Sequence, residues 1–153
     1  MADGLKCLLA DTMTGLSTDE GLSDNFIRCL LLDRDEHIWI GTDTGGLVQL
    51  KKPRVKTITR ENGLPEDAVF TVLGDSAGFL WIGTRNSGLC KMQGTQIIKT
   101  IDRQSGLSSN KVRVLLEDDR DDLWAGTEDG GINILQAGRI NRLNSENGLL
   151  SKI

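Results

Sequence analysis

With 153 residues, 38% of them apolar, the chain is long enough to bury a core. Its formal net charge of −4 presents no basic surface to phosphate backbones or anionic lipid, so neither nucleic acid nor a membrane is an expected partner. No stretch approaches the roughly 18 apolar residues of a membrane span, no export signal is read at the N-terminus, and Cys7, Cys29 and Cys90 lack the spacing of a zinc site or a disulfide framework.

Residues 4–20 look unlike the rest of the chain until they are shifted by about 42 positions. Gly4-Leu5 then falls on Gly46-Leu47, Leu8 on Leu50, Leu16 on Ile58, and Gly21-Leu22 on Gly63-Leu64. From there one phrase recurs, opening at Gly21-Leu22, Gly63-Leu64, Gly106-Leu107 and Gly148-Leu149, at a period of about 42 to 43 residues. Repeats of that length build solenoids of helix pairs or propellers of four-stranded blades. Each unit holds short apolar or alternating runs broken by Gly, Asp and Asn, with no window long enough for an amphipathic helix, and that pattern selects an all-β propeller. The expected units are a half blade over 4–20, whole blades over 21–62, 63–105 and 106–147, and the start of another over 148–153.

Within each unit the first strand, 26–32, 69–73 or 112–117, is the near-continuous apolar run of an innermost strand. Asp33, Asp75 or Asp118 comes next, where a carboxylate accepts backbone N–H groups in a tight turn. Gly78 suits the left-handed position of that turn in one unit, while Glu36 and Asp121 occupy it in the others at some strain. The second strand carries Trp39-Ile40-Gly41-Thr42, Trp81-Ile82-Gly83-Thr84 or Trp124-Ala125-Gly126-Thr127. Its tryptophans are read as core, with exposed sugar-stacking platforms as the lesser reading, and each ring is expected to lie close to a neighbour's backbone beside the glycine. A glycine hairpin leads to the third strand. The fourth, 55–59, 97–101 or 140–143, is the more polar outer edge, and one extra residue within 97–101 reads as a bulge.

Fourteen strands make three and a half blades, fewer than the roughly four to eight of closed rings, so this ring is expected to be open by itself. Either further blades of the same parent protein complete it, or other copies of this chain do. Catalytic chemistry has little to work with, and no enzyme is expected: His37 is the only histidine and is read as a solvated turn residue, and no nucleophile-elbow, metalloprotease, dinucleotide or P-loop phrase occurs. The run Asp118-Asp119-Arg120-Asp121-Asp122 lacks the glycine and spacing of a calcium loop, and neither a metal nor a cofactor is expected.

A binding surface would lie on the face bearing the fourth-to-first connections and the second-to-third hairpins, whose residues vary while the scaffold repeats. The candidates there are Asp43, Arg85, Asn86, Glu128 and Asp129 from the hairpins, and Arg28, Phe70 and Arg113 from the starts of the innermost strands. Two arginines at one mouth suit a carboxylate or sulfate, such as uronic or sulfated sugars carry. The plainer alternative is pairing with nearby Asp24, Glu66 or Asp67.

The phrase Gly-Leu-Ser-x-Asn-x-Val-Arg-x-Leu-x-x-Asp, followed by Leu-Trp-Ile-Gly-Thr and Gly-Gly-Leu, resembles the two-component regulator propeller repeat over nearly all of residues 4–153. That resemblance implies seven-bladed propellers in the sensor regions of bacterial hybrid two-component systems, Bacteroidetes above all. It also implies a periplasmic setting, and ligand sensing or signal transmission toward polysaccharide fragments. A small carbohydrate ligand is the partner it suggests; the alternative function is a self-assembling propeller module that closes its ring as a homo-oligomer.

Overall fold

Alternating apolar residues interrupted by glycine turns leave each repeat one economical arrangement, an antiparallel meander with both faces apolar. The computed structural model describes residues 4–9, 12–51 and 54–149, so residues 150–153 of the final expected unit lie outside the described residues. Among the described residues β1 (Leu5–Leu9) and β2 (Thr12–Leu16) form a two-stranded sheet. Three four-stranded sheets come after it: β3 (Ile27–Leu32), β4 (Ile38–Thr42), β5 (Leu47–Lys51) and β6 (Arg54–Ile58); then β7 (Val69–Gly74), β8 (Leu80–Thr84), β9 (Leu89–Gln93) and β10 (Gln96–Ile101); then β11 (Val112–Glu117), β12 (Leu123–Thr127), β13 (Ile132–Gln136) and β14 (Arg139–Leu143). Every neighbouring pair is antiparallel and in sequence order. The innermost strands stand side by side, β3 against β7 and β7 against β11, which makes the sheets successive blades around one axis.

The core is not inside any blade but between blades. Trp39 and Leu47 of the first whole blade close on Val69, Leu80, Ile82 and Met92 of the second. Trp81 and Leu89 of the second close on Val112, Leu123 and Ala125 of the third. Ile40 and Val48 meet Leu5 and Leu16 of the half blade. Cys29 and Cys90 belong to these layers, and burial pushes their thiols up to about 11 and about 12, so they pack rather than react.

The motif Trp-Ile-Gly-Thr can be read atom by atom. The indole Nε1 of Trp39, Trp81 and Trp124 donates to the carboxylate six residues earlier, at 2.8 Å to Asp33, 2.9 Å to Asp75 and 2.9 Å to Asp118. The other oxygen of each carboxylate accepts turn amides, such as Phe79 N at 2.7 Å and His37 N at 2.8 Å. Burial raises the Asp33 carboxyl, but the bonds from Trp39 and His37 outweigh it and hold the group below its usual value. The glycine serves another purpose than expected. A Cβ on Gly41 would lie 2.4 Å from Cys29 Sγ of its own blade and 2.7 Å from Val69 Cγ1 of the next, and one on Gly83 would lie 2.6 Å from Thr71 Cγ2 and 2.7 Å from Val112 Cγ1, so the paired side chain and the neighbour's valine, not the tryptophan, take the space. The threonine then ties the hairpin: Thr42 Oγ1 donates to Gly46 O at 2.8 Å, and Thr84 Oγ1 to Gly88 O at 2.9 Å.

Register shifts lie where one unit is longer than its siblings, between Ile97 and Lys99, but also at the same place in all three innermost strands, after Ile27, Val69 and Val112. The turn between first and second strands has φ near 61° at Glu36 and Asp121 and 85° at Gly78. A side chain in that left-handed region costs about 1–2 kcal/mol, partly offset by the entropy glycine loses on folding. Glu36→Gly is therefore expected to stabilise the chain by about 0.5–1 kcal/mol, and Gly78→Ala to destabilise it by about 1 kcal/mol, both read as urea-midpoint shifts at constant m-value.

Both ends of the array leave apolar inner strands bare. Leu30 and Leu32 of β3 are 52% and 66% exposed on the side of the half blade, which has no inner strand among the described residues, and Val114 and Leu116 of β11 are 57% and 59% exposed on the opposite side.

Candidate functional site

The repeated register shift has a consequence for the mouth of the array. It leaves Arg28, Phe70 and Arg113 as the unpaired residue at the start of each innermost strand, and a bulge re-aims the side chain it carries. A second repeated position lies beside it. The amide of the residue after the Gly-Thr pair donates 3.0 Å to a carbonyl at the strand start, Asp43 to Phe26, Arg85 to Ala68 and Glu128 to Lys111. Two positions from each of three blades thus converge near the axis.

What occupies them is an aromatic ring under three guanidinium groups. Phe70 is 8% exposed, and the guanidinium carbons of Arg28, Arg85 and Arg113 lie 5.3, 5.2 and 4.0 Å from its centroid. Such contacts are worth about 0.5–1 kcal/mol each at exposed sites. Arg28 donates to Asp43 Oδ1 through Nε and Nη2, at 3.0 and 2.8 Å, and Arg85 donates to the same oxygen. Arg113 pairs with Glu128 through Nε at 2.7 Å and through Nη2, and holds that carboxyl below its usual value. Lys111 Nζ stands 3.5 Å from Glu128 and 3.7 Å from Asp129.

Six of the eight residues singled out from the sequence therefore meet: Arg28, Asp43, Phe70, Arg85, Arg113 and Glu128. The other two serve the hairpins. Asn86 donates its amide and side chain to Glu66 at 2.6 and 3.1 Å, as Thr44 does to Asp24 at 2.8 Å, and Asp129 is held low by a hydrogen bond from Ser109. This also corrects the expected partners of the arginines. Asp24 and Glu66 are spent on the hairpin amides, and Asp67 accepts the amide of Arg60 at 2.7 Å, so Asp43 and Glu128 take the guanidiniums instead. Lys111 was missed, although the equivalent positions Phe26 and Ala68 could have marked it as a mouth residue. His37 is not a solvated turn residue either: its side chain is 13% exposed and its Nδ1 lies 3.0 Å from Asp33 Oδ2.

Blades packed around an axis with variable loops at one mouth define a segment of a β-propeller. The family model described as two component regulator propeller matches residues 21–44, 63–86 and 106–129, and these three repeats belong to that family. Among solved structures the chain is similar to the extracellular domains of two hybrid two component systems of B. thetaiotaomicron. One is 22% identical with a TM-score of 0.81 over 94% of this chain and 20% of that one. The other is 18% identical with a TM-score of 0.78 over 96% and 23%. Virginiamycin B lyase from Staphylococcus aureus is 17% identical with a TM-score of 0.67, over 92% of this chain and 48% of its own. The chain thus spans about a fifth of the two extracellular domains. A comparison with curated protein sequences finds no match. Extracellular domains of two component systems and a lyase share this fold, so function has to be argued from the site.

Proposed function

We propose that the chain is a non-catalytic propeller segment of the sensor region of a hybrid two-component system, and that its mouth takes an oligosaccharide ligand. The observation that carries this is the convergence of six side chains from two repeated positions on one surface, with Arg28, Arg85 and Arg113 each 38–43% exposed. Guanidiniums supply planar, multidentate donors to sugar oxygens. A catalytic reading gains no support from the one imidazole, which is hydrogen-bonded to Asp33 on another turn, or from the thiols of partly buried Cys29 and buried Cys90, which desolvation keeps protonated. Similarity to the extracellular domains of two hybrid two component systems of B. thetaiotaomicron supports the sensor assignment, and the repeat family supports it independently. The test is amide chemical-shift mapping of the isotope-labelled chain against a panel of oligosaccharides. Shifts centred on Arg28, Asp43, Phe70, Arg85, Arg113 and Glu128 are expected; shifts confined to other surfaces, or none with any sugar, would refute the reading.

A second reading, a self-assembling module, is favoured by the bare inner strands at both ends. Leu30 and Leu32 at one end and Val114 and Leu116 at the other are the kind of surface that blades cover. Either further blades of a parent chain or other copies would bury them. Light scattering at micromolar concentration decides: a single defined oligomer supports assembly from copies, and a heterogeneous or monomeric population excludes it.

A further inference from the structure

The three blades do not bring equal charge to the mouth. In the first, Arg28 has its own carboxylate in Asp43; in the third, Arg113 has its own in Glu128. The middle blade puts Phe70 where the others have arginine, and Arg85 where the others have a carboxylate. Arg85 is left with no acid of its own blade at these positions and reaches across to Asp43, so one carboxylate oxygen serves two guanidiniums. Among the described residues the three arginines around Phe70 meet only two carboxylates in direct pairs.

We propose that Arg85, with Arg28 beside it, is the anion-recognition point of the mouth, and that the ligand presents a carboxylate or sulfate group there. This rests on the reading of the mouth as a ligand site and names the chemistry that site selects. Several properties of the pair support it. Both guanidiniums are held over the Phe70 ring, so their orientation is set before anything binds. Both remain more than a third exposed, and a planar oxyanion matches their donor geometry. Phe70 is itself buried, which makes it the floor that positions the arginines and not a surface for stacking a sugar ring. Asp43 is then the internal competitor: it occupies the donors that an incoming anion would take.

That competition gives the inference its test, because a merely structural Arg85 predicts a loss of stability in Arg85→Gln with anion affinity unchanged. Glucuronate, inorganic sulfate and glucose are titrated into the labelled chain at low salt, with Arg85→Gln and Asp43→Asn variants alongside. Glucuronate and sulfate are expected to shift the amides of residues 28, 43 and 85 and glucose to bind at least tenfold more weakly. Arg85→Gln should weaken anion binding about tenfold with its urea midpoint nearly unchanged, since Arg28 keeps Asp43 paired. Asp43→Asn should strengthen it. Binding of glucuronate but not sulfate selects a sugar carboxylate, and equal binding of both selects the charge alone. If glucose or neutral oligosaccharides bind the mouth as well as the anions do, or if Asp43→Asn fails to raise anion affinity, the anion inference falls while the ligand-site reading stands. If nothing moves the mouth amides, both fall.

Discussion

Asp75→Ala is expected to remove about 3–5 kcal/mol of stability, enough to unfold a chain whose total lies in the usual range of about 5–15 kcal/mol. The carboxylate is 7% exposed and sits at the centre of the structure, between two complete blades. Its Oδ1 accepts the Phe79 amide at 2.7 Å, its Oδ2 accepts the Trp81 indole at 2.9 Å, and Lys91 Nζ lies 3.3 Å from that same oxygen. Alanine leaves all three donors without their acceptor. A hydrogen bond to a charged group is worth about 1.5–3 kcal/mol, and a donor stranded in the interior costs about 1–3 kcal/mol more than one that water can reach. Lys91 adds to the loss, because it is largely buried against the rings of Phe79 and Trp81, at 3.8 and 4.8 Å, and would be left there without its carboxylate. Asp118→Ala removes the same kind of bond from Trp124, but on a blade whose outer side faces solvent, so the freed donors find water and the loss should be clearly smaller. Urea denaturation of the two variants is the measurement. Equal losses, or a loss below about 1 kcal/mol at Asp75, would mean that the carboxylate-indole bond does not hold the blade.

These bonds show what the sequence could and could not disclose. The fold class was legible because the Gly-Leu opening and the Trp-Ile-Gly-Thr core recur together, and a recurring pattern of short apolar runs admits few architectures. The bulge in β10 was legible for the same reason, since it lengthens one unit and not its siblings. The bulges at Arg28, Phe70 and Arg113 were not. A feature present in every unit leaves the spacing between units unchanged, so comparing repeats cannot reveal it, yet it is what turns those three side chains toward the mouth. The carboxylate-indole pair was hidden in plain view: its spacing of six residues is constant, but a turn aspartate and a core tryptophan each have a sufficient explanation alone. Partner choice at the mouth was beyond reach for a different reason. Asp24 and Asp43 are both close to Arg28 along the chain or across the hairpin, and only the folded hairpin decides that Asp24 is consumed by Thr44 while Asp43 is left for the guanidiniums.

Gly83→Val is expected to cost about 3 kcal/mol or more, while Gly126→Val costs much less, although the two glycines occupy the same place in the repeat. A Cβ on Gly83 would stand 2.6 Å from Thr71 Cγ2 and 2.7 Å from Val112 Cγ1, and Val112 is fully buried in the innermost strand of the next blade. Neither neighbour can swing aside, so valine must push the second and third blades apart. Overpacking of a filled core costs about 1–3 kcal/mol, and here the displaced element is a whole blade, so that Trp81 and Leu89 of the second blade lose contact with Leu123 and Ala125 of the third. At Gly126 the only described side chain within 3 Å of the new Cβ is Val114 of the same blade, which is 57% exposed and has room to turn. The contrast measures whether anything covers that face. In the chain by itself the ratio of the two losses should be large. Once a further blade, from a parent chain or from another copy, seats its own innermost valine on Gly126, the two substitutions should become equally damaging. Parallel urea titrations in the isolated chain and in the completed assembly therefore report on blade closure without reference to any ligand, and equal costs in a demonstrably monomeric chain would contradict the inter-blade packing described for Gly83.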